Sequence, residues 1–438
     1  MPRVLMVSAH FPPDTGAATH RVRLMAPHLP KYGWAPTVVS VDPRDNEGRL
    51  DPELVRLVPD DLRVIRSRAW SARWTRWLGA GDLGARALWG LWGTCCRLLE
   101  AEQYEALFIT MYPTYPALLG PLLKRRFGIP FILDYQDPWV GAWGETVGGG
   151  PNGALDLKSR LTRALATRLE PRVARAADAL TAVSRQTLED ILVRNPLLRS
   201  TPSEEIPLGG EAADFQYLRA HPRRNPYFDP ADGSVHLGYV GTLLPLGVET
   251  LTAMLKAVRL LRIRRPDLYA RLRVHFVGTS NQTSPEAPQR VLPVARELGI
   301  DDCVREVAPR IDYLDALTVQ TQATALLMMG SSERHYTASK LYPGLLAHRP
   351  ILAVYHEASS VVDILRRAVR TPSARLVTYG DRNRADSRVE VIYHELAGLV
   401  EHPVYDPADV VPTALEACSA SALAGKLAAV FEQVRRRP

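Results

Sequence analysis

The sequence predicts an α/β protein made of two parallel, doubly wound β/α/β sheets. Three observations carry that prediction. Apolar runs of strand length recur along the chain, each followed by a polar turn and a stretch of helical periodicity. The pattern breaks once, between Asn195 and Ser234, where Pro, Arg, Gly and Asp accumulate, and then restarts. And 438 residues are too many for one ordinary core, so two domains are expected.

In the N-terminal half the run Val4–Ser8 reads as a buried strand. The loop AHFPPDTGAATHR follows, and then a helix through Val22, Met25, Ala26 and Leu29. Pro36–Val41 is a second strand, so the opening is β-α-β, the start of a parallel sheet. Ala106–Thr110, Pro130–Asp134 and Ala179–Val183 continue it, and Ser184 is placed to cap a helix from Arg185. After the linker, strands are predicted at Val235–Val240, Arg273–Val277, Cys303–Val307, Ala323–Met329 and Ile351–Tyr355. The boundaries follow: 1–210 for the first domain, 211–234 for the linker and 235–411 for the second. An amphipathic helix over 412–438 either closes the second domain or crosses back to the first.

Composition narrows the function classes. Hydrophobic content of 46% and charged content of 23% are globular values. A net charge of +7 favours anionic partners such as phosphates or acidic lipid. Nucleic acid is not the expected partner, because the arginines are scattered and no recognised module occurs. Cys95, Cys96, Cys303 and Cys418 fit neither a zinc site nor a disulfide framework and read as reduced thiols of a cytoplasmic protein. The N-terminus lacks the apolar core of a signal peptide, and no run is long enough to span a bilayer. The expectation is a soluble protein, or one peripheral to the inner face of the membrane.

Candidate site residues gather where strands end, as ligands do in open α/β sheets. The loop after the first strand mixes Asp14, Gly16, His20 and Arg21, and His10 precedes them. Gly16 lets backbone approach a ligand. Leu133–Val140 empties a strand into Asp134, Asp137 and Trp139, which could orient hydroxyl groups; an Asp-Pro turn that merely caps the strand is the plainer alternative. The glycine-rich GETVGGGPNG beyond it could act as a lid. In the second half, Gly241-Thr242 and Gly278 follow strands, and Ser331–Glu357 joins a strand, a polar turn and a helix start. Thr337, Ser339 and Lys340 at that helix start could form an anion site, since unpaired backbone N–H groups and the helix dipole face outward there; an ordinary strand–loop–helix unit whose Ser and Lys are merely solvated is the plainer alternative. Two such sheets face each other across a cleft lined by both sets of turns.

One stretch stands apart. Residues 66–97 hold five of the eight tryptophans, and Trp70, Trp74 and Trp77 fall at i, i+4 and i+7 beside Arg73 and Arg76. Domain packing is the ordinary reading of an aromatic stripe; the functional one is an interfacial helix meeting a membrane or a lipid-linked acceptor.

The pieces MVSAHFPPDTGAATHR, FILDYQDPWV, ADALTAVSRQTLEDI, IPLGGEAADF, LGYVGTLLP and ASKLYPGLLAHRPILAV, in this order, resemble the retaining glycosyltransferases of family four, which have the GT-B fold of two Rossmann-like domains. The resemblance implies a nucleotide-sugar donor held mainly by the second domain. It implies a small-molecule or lipid-linked acceptor held by the first, and no metal or other cofactor. Gly16 would approach the transferred sugar or the donor phosphates, and Gly241, Thr242, Gly278, Ser339, Lys340, Leu341 and Glu357 would contact the donor. Glu333 would take the place of the acid that touches the donor sugar. Asp137, Glu333, Lys340 and His10 would carry catalysis, and Asp14, His20, Arg21, Asp134 and Trp139 would meet the acceptor. Two departures stand out. Pro343 falls where a second glutamate contacts the ribose, and GTLLPLG lacks the usual phosphate-binding cation. Lys340, with Arg334 or Arg349, would have to supply that charge.

In a retaining transfer the departing phosphate can itself take the acceptor proton; an inverting one needs a base, for which His10, His20, Asp14 and Asp137 are the candidates. A nucleotide-sugar epimerase, a related coupling enzyme, and a catalytically silent partner subunit remain alternatives on the same fold.

Overall fold

The structure is a computed structural model that describes residues 1–77, 81–140, 157–243, 245–331 and 340–436. The chain divides into two compact units, Met1–Leu208 with Ala420–Pro438, and Gly209–Ser419. Each is a parallel sheet flanked by helices.

The first unit contains strands β1 (Arg3–Val7), β2 (Ala35–Val41), β3 (Arg63–Ser67), β4 (Ala106–Thr110), β5 (Phe131–Tyr135), β6 (Ala179–Ala182) and β7 (Ser203–Glu205). Their order is β3-β2-β1-β4-β5-β6-β7, with every pairing parallel. Alternation along a strand sends successive side chains to opposite faces. Leu5, Val7, Leu107, Ile109 and Leu133 therefore build one core layer, and Val4, Met6, Phe108 and Ile132 the other. The second layer is completed from the far end of the chain. Leu423, Ala424, Leu427 and Phe431 of helix Ala420–Arg435 join it, and the Phe431 ring meets Trp34 edge-on at 5.2 Å. Ser184 caps helix Arg185–Arg194 as its sequence predicts, its hydroxyl accepting the Thr187 N–H.

The second unit holds β8 (Val235–Val240), β9 (Leu272–Val277), β10 (Val304–Val307), β11 (Ala325–Met329), β12 (Ile351–His356) and β13 (Ala374–Tyr379). Their order is β10-β9-β8-β11-β12-β13, again parallel throughout. Both sheets reverse direction once, between β1 and β4 and between β8 and β11. That reversal opens a crevice at the carboxyl ends of the strands. Residues 211–234 include helix Ala212–Ala220, and Asp214 in it accepts a hydrogen bond from Tyr313 within the second unit.

One reading changes. The tryptophan stripe is not one helical face: Trp70 precedes helix Ala72–Trp77, and Trp89 and Trp92 belong to a second helix, Leu83–Ala101. Helix Leu341–Leu346 accommodates Pro343 in its first turn, where the missing N–H has no helical partner to lose. The glycine-rich segment 144–153 lies outside the described residues. No helix among the described residues is long and apolar enough to cross a membrane.

Candidate functional site

The second unit carries the clearest arrangement. β8 ends in Gly241, whose φ of +136° is a region that L side chains rarely adopt. Its N–H donates to Val277 O (2.8 Å), and the N–H of Leu243 to Thr279 O (2.8 Å), so the β8–β9 ladder continues into the turn. The Lys340 side chain occupies the volume that a β-carbon on Gly241 would need. Glycine is therefore required by its backbone angle, and a β-carbon there would push the flexible end of the lysine aside.

Lys340 stands at the N-cap of helix Leu341–Leu346 and lines a small cavity with Gly238, Tyr239, Val240, Gln320 and Leu341. Its ammonium has no ion-pair partner among the described residues. Burial pushes its pKa down to about 8, and the Arg310 guanidinium adds to the shift. A buried lysine held this way, charged at neutral pH and without counter-charge among the described residues, favours an anion beside it.

Arg310 is a group that sequence reasoning missed. It follows β10 by three residues, on the same rim as Gly278, whose N–H donates to Val307 O (2.8 Å). A cation just past a predicted strand end was the available signal. Arg349, by contrast, lies away from the site. It immediately precedes β12, at the opposite end of the strands, and its guanidinium donates to Thr321 O. Thr242 is half-buried, with its carbonyl accepting the Tyr239 hydroxyl, and Leu341 is buried. Glu357 is exposed just past β12. Glu333, Arg334, Thr337 and Ser339 lie outside the described residues.

In the first unit the loop after β1 is organised around His10 and Asp14. His10 Nδ1 meets Asp14 Oδ2, and Asp14 Oδ1 accepts the Gly16 N–H at 2.8 Å. A β-carbon on Gly16 would come within 3.3 Å of that oxygen and 3.7 Å of His10 Nδ1. Burial alone would raise the Asp14 pKa. The His10 contact, the Gly16 N–H and Asn46 outweigh it and hold the carboxyl below its usual range.

The expected acceptor contacts divide. Arg21 and Asp134 are corrected: both are buried to 1% exposure or less and face each other, not a surface. The Arg21 guanidinium donates to both Asp134 oxygens (2.9 and 2.6 Å) and to the Ile206 and Pro207 carbonyls, and Thr181 donates to Asp134 at 2.6 Å. They brace the sheet, since every polar atom of the pair is spent internally. Asp14 is likewise 6% exposed and engaged with His10. His20 is half-buried and accepts from Arg23 Nε. Asp137 is exposed, and Trp139 packs against the core beside it. Among the described residues no group of three His, Cys, Asp or Glu side chains is placed to hold a metal ion.

The comparisons bear on the same regions. Residues 16–209 match the family model of the Glycosyl transferase 4-like domain. A D-inositol 3-phosphate glycosyltransferase of Thermobispora bispora is 27% identical over 194 residues, 44% of this chain and only 42% of the relative's length. The whole chain has the two-domain GT-B fold. It superposes on a UDP-forming α,α-trehalose-phosphate synthase from Burkholderia xenovorans with a TM-score of 0.61 and 11% identity, over 100% of both chains. It also superposes on Anabaena HepE in complex with UDP-glucose, with a TM-score of 0.52 and 14% identity, over 99% of this chain and 98% of that one.

Proposed function

We propose that the protein is a glycosyltransferase that moves a sugar, with retention, from a nucleoside-diphosphate donor to an acceptor hydroxyl. The setting is cell-surface glycan or secondary-metabolite glycoside synthesis in the cytoplasm. The observation that carries this reading is the Lys340 ammonium, without an ion-pair partner among the described residues, packed on Gly241 beside the crevice between β8 and β11. As the bond to the anomeric carbon breaks, negative charge accumulates on the leaving diphosphate. Fixed positive potential there is the largest help a protein can give. Lys340 and Arg310 supply it, and the backbone at Gly241 lets the phosphates come close. The reading calls on no resident metal or cofactor, the nucleotide sugar being a substrate. UDP-glucose in HepE and the UDP-forming activity in the synthase's name support a donor of that class.

A lipid-linked acceptor at a membrane surface fits the first unit. Trp70, Trp74 and Trp89 are 56%, 75% and 58% exposed, and Arg73 is exposed among them. Indole rings with arginines suit the headgroup layer of an anionic bilayer. Sedimentation with anionic vesicles tests this, and a protein left wholly in the supernatant would discard the membrane part alone.

A panel of nucleotide sugars tests the transferase. One of them should raise the melting temperature and slowly release free sugar, and the product anomer read by NMR should match the donor. Release of nucleotide without monosaccharide would point to an epimerase, and binding of none would leave a silent subunit.

A further inference from the structure

We infer that Arg290 is a further phosphate-binding cation of the donor site, held against the 241–243 turn by Glu306. The inference rests on the transferase reading and names a contact from a segment outside that turn.

The turn lacks a cation of its own. Residues 241–247, GTLLPLG, contain no lysine or arginine. Lys340 lies on the turn at Gly241, and Arg349 is spent at the other end of the strands. Arg290 reaches the turn at Leu243, where its guanidinium donates to the Leu243 carbonyl. It has no carboxylate partner among the described residues, and its side chain is half-buried, so part of it stays open to a ligand. A guanidinium carries five N–H donors in a planar fork, and one carbonyl leaves most of them for phosphate oxygens.

Backbone geometry fixes the side from which it comes. The Gly241 N–H donates to Val277 O and the Leu243 N–H to Thr279 O, both at 2.8 Å, so Leu243 turns its polar groups toward β9. Arg290, bound to the Leu243 carbonyl, therefore stands on the β9 side. β8 has β11 as its other neighbour, and Lys340 lines a cavity with residues of both strands. The two cations flank the turn.

Glu306 sets the place of the arginine. From β10 its carboxylate accepts the Thr279 hydroxyl (2.6 Å) and the backbone N–H groups of Arg290, Val291 and Leu292 (2.9, 3.0 and 2.9 Å). Thr279, fully buried, is the residue whose carbonyl holds the Leu243 N–H. Both backbone groups of Leu243 are thus held by residues that Glu306 holds. The carboxylate takes four hydrogen bonds from main-chain and hydroxyl donors and none from the guanidinium, which leaves that charge for an anion. Arg290 acts by charge and hydrogen bonding alone, and no proton moves to or from it.

The test compares wild type with Arg290→Ala, Arg290→Lys and Glu306→Gln. Isothermal titration with UDP, GDP, ADP and dTDP finds the nucleoside diphosphate that wild type binds, and the matching nucleoside, measured by competition, is the control. Arg290→Ala should weaken diphosphate binding about tenfold or more and leave nucleoside binding within about twofold. Arg290→Lys should recover part of the loss, since it keeps the charge but not the fork. Added sodium chloride should weaken binding to wild type more steeply than to Arg290→Ala, which has one phosphate-facing charge fewer. Glu306→Gln should lose part of the diphosphate affinity, and its Leu243 amide should exchange with deuterium faster while the amides of β8 keep their rates. An Arg290→Ala protein that binds the diphosphate as wild type does, or that loses diphosphate and nucleoside alike, would overturn this inference and leave the transferase reading standing. Full affinity and an unchanged Leu243 amide in Glu306→Gln would remove the positioning role of Glu306. A wild type that binds none of the four would sink the transferase reading and this inference with it.

Discussion

The Lys340 side chain lies against Gly241 in the space that any larger residue there would claim. Two segments separated by about a quarter of the chain are thereby matched, one by having no side chain and the other by having a long cationic one. Gly241→Ala should therefore act on Lys340 as well as on its own backbone. The strained angle alone costs of order 1–3 kcal/mol, read as a fall in melting temperature. Donor affinity should drop too, and a variant that melts lower but binds donor normally would show that Lys340 had not been displaced.

Lys340→Ala should raise the donor dissociation constant at least about tenfold, or about 1.4 kcal/mol. Isothermal titration with the nucleoside diphosphate alone reads this directly. Unchanged affinity would remove the phosphate assignment.

The pH dependence follows from the same residue. In the free protein burial brings the lysine to about 8, and an adjacent diphosphate raises it again. Binding between those values must take up a proton, so affinity is full below about pH 8 and declines above it, by at most about tenfold per pH unit. Titrations at pH 7 and pH 9 should differ accordingly, with proton uptake at pH 9. Lys340→Arg should flatten the profile.

Breaking the Arg21–Asp134 brace should cost stability. Asp134→Ala leaves a guanidinium buried without its partner, which costs about 3–5 kcal/mol. Chemical denaturation followed by tryptophan fluorescence measures it. Donor affinity should be unchanged wherever the variant remains folded, which separates a brace from a binding residue.

These outcomes bear on how much was legible in the chain. The central strands were read to within a residue or two, because strands buried on both faces are continuous apolar runs. The strands missed, β3, β7 and β13, all lie at sheet edges. Ser203–Glu205 and Arg63–Ser67 carry polar residues there and are largely half-exposed, so neither the run nor the alternation appears. The turns after β1 and β8 were visible as Gly16 and Gly241-Thr242, since short polar turns follow apolar strands. Which neighbours they would meet was not. Asp134 and Asp137 look alike in LDYQDPWV, yet the first points inward to Arg21 and the second is exposed. Asp134 lies within β5 and Asp137 two residues past its end, and only the packed sheet shows which of the two it buries. Arg310 escaped because its partner Lys340 is distant in sequence.

The helix Ala420–Arg435 gives the chain an unusual order of assembly. A protein made from its N-terminus normally completes its first domain before the second emerges. Here the layer containing Val4, Trp34 and Phe108 stays only partly covered, by Val22, Met25 and Leu29, until Leu423, Leu427 and Phe431 have been made, after the whole of the second unit. During synthesis the nascent first unit therefore presents an apolar face to chaperones, and a ribosome that stops before residue 420 releases a chain whose first domain is unfinished.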